Sequence, residues 1–392
     1  MQFRLVVLLC AAHMITDINQ GALPALLPFL IAEYHLSYAA AAFIVFASNI
    51  ASTIVQPLFG HLADRITKPW LMPVGVALAA AGIAALGFVS DYHWVLVASV
   101  VSGVGVAAFH PQAARLVTRV SGEQKGSAMS IFGVGGTLGF AVGPVVMTGA
   151  LLYFGVKGSA VVLVPGIAMA AVLTWRLMAL EDEAPRSAPG SQASGAATPQ
   201  DAWGPFTRLA GLAMARATLF YGLNTFIPLY WIHVLHRSRA SGATALSLFA
   251  LAGVVGNLLG GRLADRVGHP RVAMVGFAAL VPLLPALVLL THVPLALIVL
   301  MLVGFALSVN YSPMIILGQR YLPNHVGLSS GVTLGISITF GGLTTPLLGR
   351  VADQHGLWAA LATLSVVPIL GAALALKLPA GASEAHRAGA KA

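Results

Sequence analysis

The sequence predicts an all-α membrane protein with twelve transmembrane helices arranged as two six-helix parallel repeats. Composition is the first ground: the 392 residues are 58% hydrophobic and only 8% charged, with a mean hydropathy of +0.88, whereas a soluble domain carries about 25% charged residues. Patterning is the second. Gly-, Ala- and Leu-rich runs of helix length recur throughout, without the period-2 alternation of a membrane β-barrel. In lipid every backbone N–H and C=O must pair within its own segment, so helices of roughly 20 apolar residues are the expected solution. The third ground is an internal repeat. GHLADRITKPW from Gly60 returns as GRLADRVGHPR from Gly261, and Pro111 and Pro144 return as Pro313 and Pro346 at nearly the same spacing. Several landmarks at one spacing mark a duplication.

Taken in order, with ends set to within about 2–4 residues, the spans are 4–31, 40–62, 71–90, 94–118, 126–153 and 158–180, then 206–234, 241–264, 271–291, 293–319, 327–350 and 355–377. The first has a basic start, but its apolar run is too long for a signal peptide and carries His13 and Asp17 in its middle, so it is expected to be retained. Short polar turns such as Ser90-Asp91-Tyr92 and Ser121-Gly122-Glu123 separate the rest. Residues 181–204, EDEAPRSAPGSQASGAATPQDAWG, have no apolar periodicity and read as a flexible linker reaching about 27 Å. They fall at the seam of the duplication. The expected organisation is an N-terminal half (1–180), a cytoplasmic linker (181–204), a C-terminal half (205–378) and a cytoplasmic tail (379–392). Six spans return the chain to the side it left, which makes the repeats parallel.

The net charge of +9 follows topology. With a cytoplasmic N-terminus, Arg and Lys concentrate on that side; only Lys157, Arg237, Arg239 and Arg350 fall on the other, and Arg216 lies within a span. This is the positive-inside bias, and a nucleic-acid partner is not expected. Cys10 is the lone cysteine, which excludes an intrachain disulfide and a thiolate metal cluster. There is no nucleophile–base–acid constellation and no phosphate-binding glycine loop, so an enzyme is not expected, nor a cofactor.

The repeated Gly60-x-x-x-Asp64-Arg65 and Gly261-x-x-x-Asp265-Arg266 resemble the motif of the major facilitator superfamily between spans two and three and spans eight and nine. Gly139-x-x-x-Gly143-Pro144 resembles the core of that superfamily's antiporter motif, although Met147-Thr148 stand where a glycine pair is usual. The span-four arginine of many drug/proton antiporters is missing, with Ser99 and Val100 in its region. His13-x-x-x-Asp17, Phe109-His110-Pro111 with Arg115, and Ser130-Ile131-Phe132-x-x-Gly135-Gly136 resemble the fosmidomycin resistance proteins over most of both halves. That resemblance implies a major facilitator fold, a cavity lined by spans 1, 4, 7 and 10, and proton-coupled export of drugs or related small molecules. It places the chain in a bacterial cytoplasmic membrane with both termini inside, as a monomer. Uptake of a metabolite by symport, or a receptor built on a transporter fold, remain the other readings, since substrates diverge widely on one fold.

The residues that would do the work are polar groups inside the spans. A charge at mid-bilayer costs roughly 2.5–3.5 kcal/mol, so Asp17 must face the bundle interior. His13 lies one turn earlier and Gln20 about one turn later on the same face. A carboxylate and an imidazole at this spacing are candidates for proton coupling; the alternative is a structural pair fixing helix one to a neighbour. A metal site is not expected, since no third ligand is evident. Arg216 is the candidate anion anchor, because a buried guanidinium offers a fork of donors to a carboxylate, phosphonate or phosphate. Its alternatives are an internal partner such as Asp17, or snorkelling. Tyr221 and Asn224 follow at helical spacing.

Pro111 and Pro313 each remove a backbone hydrogen bond in corresponding spans. Paired broken helices point to a substrate site, which makes His110, Asn310 and Tyr311 candidate contacts. Asp64, Arg65, Asp265 and Arg266 are candidates for charge pairs that lock the halves together, or for a charged turn without a switching role. Arg115 and Arg119 are candidates for the cytoplasmic gate or for topology anchors. Gly139, Gly143 and Pro144, with Pro346 in the second half, fit close helix packing with a local bend.

Overall fold

The computed structural model describes residues 1–65, 70–122, 124–181 and 200–379. Most of the expected linker and tail, and the turn after Arg65, therefore lie outside the described residues. The first half comprises α1 (Phe3–Tyr34), α2 (Tyr38–Arg65), α3 (Leu71–Ala85), α4 (Tyr92–Val120), α5 (Lys125–Phe154) and α6 (Leu163–Glu181), with a 3-10 run, Gly155–Val162, leading into α6. The second half comprises α7 (Trp203–His233), α8 (Arg239–Val267), α9 (His269–Leu289), α10 (Val293–Ser308), α11 (Tyr311–Tyr321), α12 (Val326–Ser330), a π-helical run Gly331–Ile336, α13 (Ser337–Leu364) and α14 (Val367–Ala375). No strand occurs among the described residues. The architecture is all-α, as the composition requires.

Among the described residues, eight stretches are long and apolar enough to cross a membrane, and two of them, Ser127–Arg176 and Val326–Ala375, are 50 residues each. Both doubled stretches turn at a glycine with positive φ, Gly155 at 62° and Gly356 at 85°, a conformation that side chains resist. The two glycines occupy corresponding places in the repeat. So do His35 and His236, the non-glycine residues with positive φ among those described, which follow α1 and α7. The duplication is thus written into the backbone as well as the sequence.

Close helix contact follows from missing side chains. A Cβ on Gly139 would sit 2.5 Å from the Met14 carbonyl oxygen, one on Gly143 would sit 2.6 Å from that of Ile18, and one on Gly21 would sit 2.7 Å from Phe140 Cα. So α1 and α5 touch backbone to backbone along much of their length. In the second half Gly341 meets the Ala217 backbone in the same way, at 2.6 Å. Pro144 and Pro346 lie inside α5 and α13, which continue through them.

The paired broken helices expected from Pro111 and Pro313 need correction. Pro111 lies inside α4, which runs unbroken, whereas the matching span is interrupted at Val309–Asn310 and Pro313 sits in the first turn of α11. In a first turn the missing N–H has no helical partner to lose. Asn310 repairs the interruption itself: its Nδ2 donates to the Ala306 carbonyl at 3.0 Å.

The halves meet tightly at the end of the bundle that carries the turns after α1 and α7. There the Asp353 carboxylate on α13 accepts from the backbone N–H groups of Tyr38 (2.7 Å) and Ala39 (3.0 Å), at the start of α2. Gly349, one turn before Asp353, lets the chain approach Ala39 so closely that a Cβ would lie 2.6 Å from its Cα. The Arg239 guanidinium stands 4.3 Å from the Phe29 ring centroid, and Tyr38 meets His233 edge to face at 6.1 Å.

Candidate functional site

Three side chains from two helices converge inside the first half. His13 and Asp17 share one face of α1, with His13 Nε2 3.2 Å from Asp17 Oδ2. His110 approaches from α4, its Nε2 3.4 Å from Asp17 Oδ1 and 3.1 Å from His13 Nε2. The remaining ring nitrogens are tied to the backbone. His13 Nδ1 lies 2.8 Å from the Phe132 carbonyl on α5, and His110 Nδ1 lies 2.8 Å from the Val106 carbonyl one turn back. The His13 ring stacks on Phe132 at 4.1 Å between centroids.

The seat for this cluster is Gly136. A Cβ there would fall 2.6 Å from the His13 ring and 2.7 Å from Asp17 Oδ2. Asp17 and His13 are nearly enclosed, with side-chain exposures of 7% and 11%, whereas His110 retains 22% and is the most accessible member. The expectation that no third ligand accompanies His13 and Asp17 is corrected: the three groups offer ligand atoms within 4.8 Å of one another. Two imidazoles and a carboxylate form a set that a proton or a divalent ion can satisfy.

The second half presents a different group. Arg216, half-buried on α7, lays its guanidinium 4.8 Å from the Tyr311 ring centroid on α11 and 6.0 Å from that of Phe220. No carboxylate pairs with it among the described residues, so its charge is met by ring faces alone. Asp17 is therefore not its partner. Tyr221 lies within electrostatic reach of Arg216, Tyr311 and Asp17, and Phe220 meets Phe140 of α5 edge to face at 6.0 Å. Tyr221 thus stands within electrostatic reach of both the cluster of one half and the guanidinium of the other.

Other sequence candidates lie elsewhere. Asn224 is buried on α7 with its Nδ2 lacking a partner, and Gln20 is half-buried on α1. Asn310 is fully buried and turned towards α9, where a Cβ on Gly276 would press on its amide, so it does not join the Arg216 group. Arg115 and Arg119 are exposed near the end of α4. The side chains of Asp64 and Arg65 lie outside the description. Their counterpart Asp265 is largely exposed, and its nearest partner is His269 at the start of α9, 3.9 Å away in the same half. Sequence reading missed Gly136 as the seat and Asp353 as an inter-half contact. An unexplained glycine one helical turn from Phe132, and a carboxylate near a helix end, were the available signals.

Residues 9–333 match the family described as Major Facilitator Superfamily. The chain is 29% identical over 383 residues to an uncharacterized MFS-type transporter, YfnC, of Bacillus subtilis (96% of this chain, 93% of the relative). It is 25% identical over 365 residues to the fosmidomycin resistance protein of Escherichia coli (92% and 89%). Among solved structures it is similar to a bacterial homolog of the human lysosomal transporter Spinster. The inward-facing, unoccupied form gives a TM-score of 0.78 at 18% identity, covering 98% of this chain and 97% of the other. The nucleoside transporter NupG gives 0.74 at 14%, covering 95% and 98%. At such identities these structures speak to the fold alone.

Proposed function

The chain belongs to the major facilitator superfamily, and from that premise we propose that it is a proton-coupled efflux transporter of a small anionic or amphipathic compound such as fosmidomycin. It works by alternating access across a bacterial cytoplasmic membrane, as a twelve-span monomer with both termini cytoplasmic. The observation that carries the reading is that Tyr221 stands within electrostatic reach of both the His13–Asp17–His110 cluster and Arg216, which has no carboxylate partner among the described residues. Similarity to a fosmidomycin resistance protein supports the direction of transport.

In this reading Asp17 with His13 loads a proton from outside and releases it inside. Arg216, flanked by Tyr221 and Tyr311, holds the anionic group of the substrate. Gln20 and Asn224 offer further polar contacts. Exchange requires that proton and substrate not cross together, and His110, the most accessible member of the cluster, is where they compete. Inward movement of a proton and outward movement of a monoanion shift two charges, about 4.6 kcal/mol per 100 mV. With both termini cytoplasmic, the contacts at Asp353 lie on the external side and hold the two halves together there. Arg115 and Arg119, with the Asp64-Arg65 and Asp265-Arg266 turns, serve the cytoplasmic gate.

Symport is the second reading, favoured by the nearness of Tyr221 to both Arg216 and Asp17: an anion held on Arg216 would draw a proton to the cluster rather than expel it. Proteoliposomes loaded with fosmidomycin separate the two. Antiport predicts that an opposing proton gradient accelerates efflux and that Asp17→Asn abolishes the acceleration. Gradient dependence undiminished in Asp17→Asn removes Asp17 from coupling, and stimulation only by a parallel gradient replaces antiport with symport.

A further inference from the structure

Within the proton-coupled reading, the hydrogen bonds of the buried cluster limit where its hydrogens can sit. A carbonyl oxygen only accepts. The contact of His13 Nδ1 with the Phe132 carbonyl, and that of His110 Nδ1 with the Val106 carbonyl, both at 2.8 Å, therefore place a hydrogen on each Nδ1. In two neutral imidazoles both Nε2 atoms then carry bare lone pairs. Yet those atoms face each other at 3.1 Å, with the Asp17 carboxylate 3.2 Å from one and 3.4 Å from the other. Two lone pairs and a carboxylate directed at one another repel. One proton resolves the conflict, making one ring an imidazolium that donates to the other while Asp17 supplies the counter-charge. A proton on Asp17 instead satisfies one Nε2 and leaves the nitrogen–nitrogen contact unbonded.

We propose that the coupling proton is held between His13 Nε2 and His110 Nε2, with Asp17 staying ionised beside it. The loaded cluster is then neutral, which suits a site that must travel through a low-dielectric interior. The unloaded cluster keeps one negative charge and two opposed lone pairs, so His110 must withdraw from His13. Because each Nδ1 is anchored, to α5 and to α4, that withdrawal moves α4 against the α1–α5 pair. Proton release is thereby tied to helix displacement. His110 becomes a proton-carrying residue rather than only a substrate contact. Among the described residues, Tyr221 on α7 is the further titratable group within electrostatic reach of Asp17, and Cys10 lies one turn earlier on α1 against Gly135; Phe132 and Gly136 of α5 contribute no ionisable side chain.

The test needs no substrate. Full-length protein in nanodiscs, labelled with nitrogen-15 histidine, is titrated while infrared spectroscopy follows carboxyl protonation. Wild type takes up one proton shared by two Nε2 atoms, and no protonated carboxyl band assignable to Asp17 appears. Asp17→Asn keeps a histidine step but moves it to lower pH, because the counter-charge is gone, so the site stays unloaded at the pH of the flux assay. His110→Gln, whose amide donates to His13 without holding a charge, loses the step, and His13→Gln does the same from the other side. Thermal melting identifies variants that fail to fold. A carboxyl band that rises with the proton and vanishes in Asp17→Asn overturns the assignment, as does stoichiometric zinc in the purified protein. Proteoliposome flux of fosmidomycin is measured on the same samples. Absent gradient-driven flux with an intact histidine step defeats the transport reading and leaves the proton's position standing.

Discussion

The two halves share a backbone and differ in chemistry. His35 and His236 take the same left-handed turn, Gly155 and Gly356 the same reversal, and Gly139 and Gly341 the same close packing. Their interiors diverge. At the repeat spacing His13 and Asp17 of α1 correspond to Met214 and Thr218 of α7, while Arg216 has no charged counterpart in α1. Gly136, which seats the cluster, corresponds to Ile338, where no imidazole needs room. The first half holds a networked, self-neutralising group; the second holds a cation that, among the described residues, faces aromatic rings and no carboxylate. In a duplicated protein the recurring positions carry scaffold, and those that fail to recur carry the task.

The sharpest way to break that contrast is to write the second half into the first. Gly136→Ile drives a branched side chain into the space of His13 and Asp17. Overpacking alone costs about 1–3 kcal/mol, and gradient-driven flux is expected to vanish; wild-type flux would mean that Gly136 seats nothing. Arg216→Ala comes next. Loss of a charged hydrogen-bond donor is worth about 1.5–3 kcal/mol, so affinity for fosmidomycin, measured by calorimetry, is expected to fall roughly tenfold to a hundredfold. Proton uptake by the other half stays intact, and Arg216→Lys recovers part of the affinity. Asp353→Asn probes the contact between halves. Capping interactions contribute about 0.5–2 kcal/mol, and spin-label distances across the Asp353 end are expected to show a larger open population.

The smallest effect is at the edge of the second half. Asp201 accepts from the Asn324 N–H at 3.1 Å and from His325 Nδ1 at 2.7 Å. Burial raises its pKa, but those hydrogen bonds outweigh it and hold the carboxyl below its ordinary value. A depressed acid stabilises the fold above its unfolded pKa and loses that contribution as pH falls through its folded value. Hydrogen exchange around residues 200–203 and 321–325 is therefore expected to quicken below about pH 4, with Asp201→Asn removing the pH dependence.

Much of the fold is legible without coordinates, because lipid leaves the backbone few choices and duplication announces itself in the sequence. The pairing of His13 with Asp17 is legible for the same local reason, one helical turn. The arrival of His110 is not: it comes from a different helix, and no period along the chain reports which face of α4 turns towards α1. Asn310 misleads in the opposite sense. A polar residue beside a helix break resembles a substrate contact, yet its amide goes to the carbonyl which that break exposed. Arg216 is readable as an unusual charge, but its lack of a carboxylate partner emerges only once neighbouring helices are in place.

The Asp353 contact has a consequence for how such proteins drift over time. Its two acceptor oxygens grip main-chain amides at the head of α2, and every residue but proline supplies one. Position 38 is then free to vary in side chain while the fastening persists, so paired variation between positions 353 and 38 will be faint. A mutational scan should show intolerance at position 353 and, at position 38, only the milder cost of losing the ring contact with His233, a one-sided signature easily mistaken for no contact at all.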